Sequence, residues 1–136
     1  MKAAQLSKSD FPHFLAIQTR WIDNDIYGHL NNAIYLHFFD TVINEYLIRF
    51  GQLDIQKGAV VGFAVDTTCK YYRSIAFPEM VQAGLRVLQL GNSSVTYEVG
   101  IFSETSAEIA ASGTFVHVYV HRIPICSQCL RRVQIC

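Results

Sequence analysis

Charged residues are scarce in this chain of 136 residues: only 16% are Asp, Glu, Lys or Arg, whereas 51% are hydrophobic. An average soluble domain has roughly 25% charged residues, so this chain has too few to cover the surface of a monomer, and we expect it to self-associate. Eleven basic residues balance eleven acidic ones, and the formal net charge is zero. The absence of a broad basic field argues against nucleic-acid binding, although a small anionic ligand needs only local charge.

Long apolar segments are also missing. The most apolar stretch, residues 33–50, is interrupted by Asp40, Glu45 and Arg49, so no run reaches the roughly 18 residues that a membrane span needs. Residues 1–12 are polar and mixed in charge, unlike the apolar segment of a secretory signal. We therefore expect a cytoplasmic protein.

A single domain is expected over residues 1–136, because the chain has no internal repeat, low-complexity linker or block of like charge. Its core is placed at about residues 14–122, and residues 123–136 form an atypical tail. Within that tail, Cys126 and Cys129 have the spacing of half a zinc site, but a tetrahedral site needs two further ligands. We expect no metal, and free thiols as in most intracellular chains.

Hydrophobic periodicity predicts one long helix. Apolar residues recur at four-residue steps through Ile34, Phe38, Val42 and Tyr46, which produces one apolar stripe at helical period. Gly51 follows as the expected stop.

Strand patterns surround this helix. Residues 14–22 precede it, and residues 60–74, 81–87, 95–101 and 108–120 follow it, with a compact hairpin signal at residues 91–93. Short connections of this kind give an antiparallel sheet, so the fold class is α+β with five strands. A single helix covers only one face of such a sheet, and the other face or an edge needs a partner.

The loop before the helix is the most informative segment for function. It contains Asp25, Gly28, His29, Asn31 and Asn32. A helix that begins near Asn31 or Asn32 has unbonded N–H groups and partial positive charge at its first turn, where a developing oxyanion is stabilised. Asp25 is close enough in sequence to attack a carbon held there or to activate a water. Gly28 allows close approach, and His29 can orient water or the carboxylate.

The same residues also suit a loop without chemistry. Asp and Asn are ordinary turn and N-cap residues, Gly28 can serve only a turn, and His29 can be a solvated side chain. Composition alone does not decide between these two interpretations.

Residues 23–35 resemble the signature of hotdog-fold acyl-CoA thioesterases of the 4-hydroxybenzoyl-CoA thioesterase type. The resemblance continues through residues 62–66, 70–74 and 112–119, and it covers residues 16–122. It implies a hotdog fold, in which a five-stranded antiparallel sheet wraps a long central helix. It further implies a homodimer, or a dimer of dimers, that joins its sheets edge to edge.

The resemblance also implies roles for individual residues. Asp25 matches the catalytic carboxylate of the family, which is a nucleophile or a general base, and Asp23 is the weaker candidate. The oxyanion donors are backbone amides around Asn31 and Asn32, and His29 takes a supporting role.

For the substrate, the resemblance implies a pocket shared between subunits. Tyr35, Gly62 and Phe63 are assigned to this pocket, with residues 62–67 facing the partner's Asp25. Lys70 and Arg73 are expected to contact the phosphates of coenzyme A, since an ammonium and a guanidinium both suit phosphate. Either cation is equally typical of a solvated residue at a strand end.

The expected function is hydrolysis of an acyl-CoA thioester to a carboxylic acid and free coenzyme A. Coenzyme A enters as part of the substrate, and no separate cofactor is expected. Two alternatives stay open at this point: a non-catalytic module that binds acyl-CoA, and a hotdog dehydratase or hydratase.

Overall fold

The computed structural model describes residues 5–51 and 57–121. Its regular elements are β1 (His13–Gln18), α1 (Asn32–Arg49), β2 (Val60–Thr67), β3 (Lys70–Tyr71), β4 (Met80–Leu90), β5 (Ser94–Ser103) and β6 (Ile109–His121). Single-turn 3-10 helices lie on both sides of β1, at Lys8–Asp10 and Trp21–Asp23. The tail at residues 123–136, with its cysteines, lies outside the described residues.

The predicted helix is confirmed. It runs for 18 residues, which is five turns. Gly51 follows it, and a Cβ at this position would lie 2.9 Å from the carbonyl oxygen of Leu47, so the chain leaves the helix where only glycine fits. The side chains that α1 buries are Tyr35, Phe38, Phe39, Val42 and Ile43.

The strands form one antiparallel sheet in the order β1-β4-β5-β6-β2, and β3 pairs with β6 as well. The sheet has six strands, because the predicted strand at residues 60–74 is divided into β2 and β3. The chain turns between them where the amide of Thr68 donates to the carbonyl of Thr114 at 2.9 Å. One helix packed against an antiparallel sheet is the hotdog arrangement that the resemblance implied.

The first predicted strand is shorter than expected. It ends at Gln18 rather than residue 22, because the chain enters the 3-10 helix at Trp21. The buried carboxylate of Asp23 accepts the Arg20 amide at 2.8 Å and the Arg20 guanidinium at 2.8 Å, and so fixes that turn.

The hydrophobic core lies between α1 and the sheet. Phe39, Val42 and Ile43 of the helix are fully buried against Val99 and Ile101 of β5. By contrast, within the described part of the chain β2 pairs with β6 alone and lies at an edge of the sheet. Two of its apolar side chains are exposed there, Phe63 at 50% and Val65 at 60%.

Candidate active site

Residues 24–30 form a tight hairpin directly before α1. The amide of Asp25 donates to the carbonyl of His29 at 2.9 Å, and the amide of Gly28 donates to the carbonyl of Asp25 at 3.1 Å. Gly28 has a φ of 82°, in the left-handed region that glycine adopts without strain. A turn followed by one left-handed residue is a standard three-residue hairpin connection, so Gly28 serves the turn.

The carboxylate of Asp25 is held by this hairpin. Its Oδ1 accepts the amide of Tyr27 at 2.8 Å, in the turn geometry favoured by Asp. Among the described residues no donor reaches Oδ2, and the side chain is half-buried. The hairpin therefore holds the Asp25 carboxylate in a fixed position, and Oδ2 is its oxygen without a donor in the described structure.

The first turn of α1 leaves one amide unbonded. The amide of Asn31 donates to the carbonyl of Asp23 at 2.9 Å, and the amide of Ala33 donates to the side chain of Asn31 at 2.9 Å. The amide of Ile34 donates to the Asn31 carbonyl at 2.9 Å. Within the described part of the chain, the amide of Asn32 has no acceptor. Of the two amides expected to bind an oxyanion, only that of Asn32 is free, while Asn31 is the N-cap.

His29 lies at the end of the hairpin, with its side chain exposed. Its carbonyl oxygen is bonded to the Asp25 amide, so the backbone of these two residues is paired across the turn. Asp25, Gly28 and His29 thus lie on the hairpin, and Asn31 and Asn32 follow it directly as the N-cap and the first residue of α1.

The hairpin is fastened to the segment that follows β3. The amide of Leu30 donates to the carbonyl of Ile75 at 2.8 Å, and the amide of Phe77 donates to the side chain of Asn24 at 3.0 Å. Leu30 and Ile75 are both buried. These long-range bonds were not predicted, because nothing in the sequence pattern pairs residues 24–30 with residues 75–77.

Tyr71 is a second contact that sequence reasoning missed. Its hydroxyl donates to the carbonyl of Asn32 at 2.9 Å. Its ring meets the buried ring of Tyr35 edge-on, with 5.1 Å between centroids.

The residues assigned to a substrate pocket are not on this loop. Tyr35 is only 2% exposed and packs in the core. Gly62 and Phe63 lie on β2, at the opposite edge of the sheet from β1, which leads into the hairpin. Tyr35 is thus a core residue, and Gly62 and Phe63 are residues of the edge strand.

The two cations differ in their surroundings. Arg73 forms an ion pair with Glu108, so a phosphate group would have to displace that carboxylate. Lys70 begins β3 and is exposed opposite Ser112 of β6.

His117 lies on β6, away from the hairpin. It is 4% exposed, and its Nδ1 is buried without a hydrogen-bond partner in the described structure. The rings of Phe115 and Tyr97 lie edge-on to it, at 5.0 and 5.5 Å. Burial lowers the pKa of His117, and the charge of Asp40 opposes this effect.

A family model for the Thioesterase superfamily matches residues 27–110. The chain belongs to the Thioesterase superfamily. Among curated relatives, the protein YsmA of Bacillus subtilis (strain 168) is 25% identical over 89 residues, which are 65% of this chain and 60% of that protein. The chain thus matches less than two thirds of the length of this curated relative.

Solved structures support the superfamily assignment over most of the chain. The PA5185 protein of Pseudomonas aeruginosa PAO1 is 46% identical with a TM-score of 0.86, and the match covers 97% of this chain and 88% of that one. A thioesterase of Thermus thermophilus, solved in complex with coenzyme A and zinc, is 30% identical with a TM-score of 0.69. That match covers 79% of this chain and 83% of the Thermus chain.

Two further observations concern only the described residues. None of their helices is long and apolar enough to cross a membrane. They also contain no group of three or more His, Cys, Asp or Glu side chains arranged to hold a metal ion.

Proposed function

We propose that this chain hydrolyses acyl-CoA thioesters to a carboxylic acid and free coenzyme A. The observation that carries the proposal is the geometry of one loop. In the described structure the half-buried carboxylate of Asp25 has one oxygen that no donor reaches, and the hairpin that carries it leads directly to Asn32, whose amide has no acceptor at the helix N-terminus. Membership of the Thioesterase superfamily supports the same class of reaction.

In the proposed mechanism the carbonyl oxygen of the thioester accepts the N–H of Asn32. The helix N-terminus stabilises the negative charge that develops on this oxygen. Oδ2 of Asp25 either attacks the carbonyl carbon or removes a proton from an attacking water. In the first route the C–S bond breaks to give the coenzyme A thiolate and a mixed anhydride, which water then hydrolyses. His29 orients the water or the carboxylate.

A single turnover in ¹⁸O-labelled water tests for the nucleophilic route. If Asp25 is the nucleophile and water attacks the Asp25 carbonyl carbon of the anhydride, the label enters the Asp25 carboxylate. If Asp25 is a general base, or if water attacks the acyl carbon of the anhydride, all of the label enters the released acid, so label on Asp25 identifies the nucleophilic route.

The proposed active form is a homodimer, or a dimer of dimers. Among the described residues, the outer edge of strand β2 has no partner strand, and Phe63 and Val65 are exposed on it. Natural sheets rarely leave such an edge uncovered. The hairpin also exposes Ile26 at 93% and Tyr27 at 81%. Joining two β2 strands covers this edge and brings Gly62 and Phe63 toward the Asp25 of the partner subunit.

In this arrangement the substrate's acyl group lies between the subunits. Lys70 and Arg73 are the proposed contacts for the phosphates of coenzyme A, with Arg73 exchanging Glu108 for a phosphate. Because the motif resembles that of 4-hydroxybenzoyl-CoA thioesterases, the substrates to test include aromatic acyl-CoAs. Short, long and branched acyl-CoAs complete the set.

The decisive experiment compares the wild type with Asp25→Asn in a thiol-release assay across these acyl-CoAs. We expect kcat to fall by roughly two to four orders of magnitude, because a positioned general base or nucleophile is lost. Asp10→Asn is the matched control, since it makes the same change on an exposed carboxylate of the first 3-10 helix. Circular dichroism and gel filtration check that both variants keep the fold and assembly.

Equal turnover by wild type and Asp25→Asn would contradict the mechanism. A wild type that is stabilised thermally by acyl-CoA without releasing thiol would instead identify a binding module. Hydration or dehydration products without thiol release would identify the third class.

A further inference from the structure

We propose that Tyr71 is a positioning residue, which holds the first residue of α1 so that the amide of Asn32 points at the thioester carbonyl. This inference rests on the proposed function. Tyr71 lies outside the loop motif, and in this proposal it affects the rate through the position of Asn32.

The hydroxyl of Tyr71 reaches the helix from a different part of the sheet. It donates to the Asn32 carbonyl at 2.9 Å across a separation of 39 residues. Asn32 is the first residue of α1, and its own N–H is the amide left without an acceptor in the described structure. Tyr71 therefore bonds directly to the residue that is proposed to bind the oxyanion.

Both ends of the Tyr71 side chain are constrained. Its backbone pairs with β6, where Tyr71 lies opposite Ala111. Its ring meets the buried ring of Tyr35 at an interplanar angle of 85°. Tyr35 lies one turn along the same helix, so Tyr71 contacts α1 twice, once through its ring and once through its hydroxyl.

Hydrogen bonds outside the helix ladder also hold the two neighbours of Asn32. Asn31 is held through its amide by Asp23, and the Ala33 amide is held by the Asn31 side chain. The hydroxyl of Tyr71 adds a hydrogen bond to the carbonyl of Asn32, which lies between Asn31 and Ala33. A small displacement of a group that stabilises an oxyanion strongly reduces the rate, because the transition state requires a defined geometry.

The Tyr71 hydroxyl keeps its proton over the working range of the enzyme. Burial, with the neighbouring thiol of Cys69, raises the pKa of Tyr71 to about 12. The side chain is therefore a donor to the Asn32 carbonyl at neutral pH.

The test compares Tyr71→Phe with Tyr72→Phe. Each variant loses one hydroxyl and keeps its ring, and the two side chains have similar exposure, 45% and 50%. The hydroxyl of Tyr72 bonds to Ser112 of β6 rather than to the helix. We expect Tyr71→Phe to lower kcat roughly five- to tenfold with KM unchanged, in line with the loss of one hydrogen bond. We expect Tyr72→Phe to keep the wild-type kcat and KM.

A second measurement does not depend on activity. The Tyr71 hydrogen bond polarises the peptide group between Asn32 and Ala33, so the ¹⁵N shift of the Ala33 amide changes in Tyr71→Phe and not in Tyr72→Phe. If the ¹⁵N shift of the Ala33 amide is unchanged in Tyr71→Phe, the hydrogen bond from Tyr71 to Asn32 is excluded. An unchanged kcat in Tyr71→Phe, or an equal loss in Tyr72→Phe, overturns the positioning role. A wild type that releases no thiol overturns the proposed function, while the Ala33 shift still decides whether this hydrogen bond exists.

Discussion

Asp23 and Asp25 show how two identical side chains two residues apart are used differently. Asp23 is 2% exposed, and its carboxylate is occupied by Arg20. Asp25 is half-buried, and one of its oxygens is unbonded in the described structure. The resemblance ranked Asp25 above Asp23, and the geometry supplies a physical reason for this order: a carboxylate already neutralised by a guanidinium is a poor nucleophile or base.

His117 is the residue for which we predict a pH effect on stability. Burial lowers its pKa in the folded state, so the unfolded chain takes up a proton at higher pH than the folded chain. Its contribution to stability is fully present above the unfolded pKa of about 6.5 and is lost as the pH falls below it. We expect the free energy of unfolding, measured with urea, to decrease less between pH 7.5 and pH 5.5 in His117→Gln than in the wild type.

His37→Gln is the control for this experiment, because His37 is exposed on α1. It should keep the pH dependence of the wild type. If His117→Gln also keeps that dependence, burial of His117 does not contribute to it.

Sequence reasoning at this scale found the loop residues but not Tyr71. Asp25, His29 and Asn32 are close together in sequence, so a local motif contains them all. Tyr71 acts on Asn32 across 39 residues, and its role depends on how β3 pairs with β6. A single sequence carries no signal for that pairing, apart from a tyrosine within a strand-like segment.

At the scale of single elements, the start of α1 has a helix cap at Asn31 directly beside the proposed oxyanion donor, the amide of Asn32. Asn31→Ala removes the side-chain acceptor of the Ala33 amide, and we expect the free energy of unfolding to fall by about 1 kcal/mol. Asn31→Ser keeps a neutral acceptor and should restore most of this stability. Chemical denaturation with urea measures both changes.

Asn31→Asp separates the two roles. It keeps the cap and adds negative charge, which stabilises a helix N-terminus by roughly 0.3–1 kcal/mol. The same charge opposes an oxyanion on the adjacent Asn32 amide, so we expect kcat to fall although stability is kept. Activity that simply follows stability across the Ala, Ser and Asp variants would contradict an oxyanion site at Asn32.

The elements themselves were largely predictable. Local periodicity is sufficient for α1 and for the β4–β5 hairpin, whose turn closes where the Gly91 amide donates to Ser94 at 2.8 Å. It was insufficient for residues 60–74, because both β2 and β3 pair with β6 and share one apolar pattern. The break between them depends on the tertiary contact of Thr68 with Thr114.

At the scale of the whole molecule, the low charge content corresponds to exposed apolar side chains in two places, the edge strand β2 and the surroundings of the hairpin. Phe63 and Val65 are exposed on the edge strand, and Trp21 and Ile22 are each 77% exposed beside the hairpin. We expect sedimentation velocity at micromolar concentration to show a dimer or a dimer of dimers. Phe63→Glu should shift this assembly toward monomer and abolish thiol release, because a charge at the joined edge has to be desolvated.

Leu88→Glu is the matched control, since Leu88 of β4 is 48% exposed and Phe63 is 50% exposed. It should keep both assembly and turnover. A monomeric wild type with full activity would exclude a pocket shared between subunits.

The bonds that fasten the hairpin also determine when the site is completed during synthesis. The hairpin and α1 both precede residue 50 in the chain. The hydrogen bonds from Tyr71 to α1 and from the hairpin to Ile75 involve a segment that leaves the ribosome later. Strand β6, which pairs with β3 at Tyr71, follows only at residues 109–121. Contacts of high sequence separation form late, after the chain between them has been ordered. A nascent chain can therefore display the entire motif from Asp23 to Tyr35 before it has a working site.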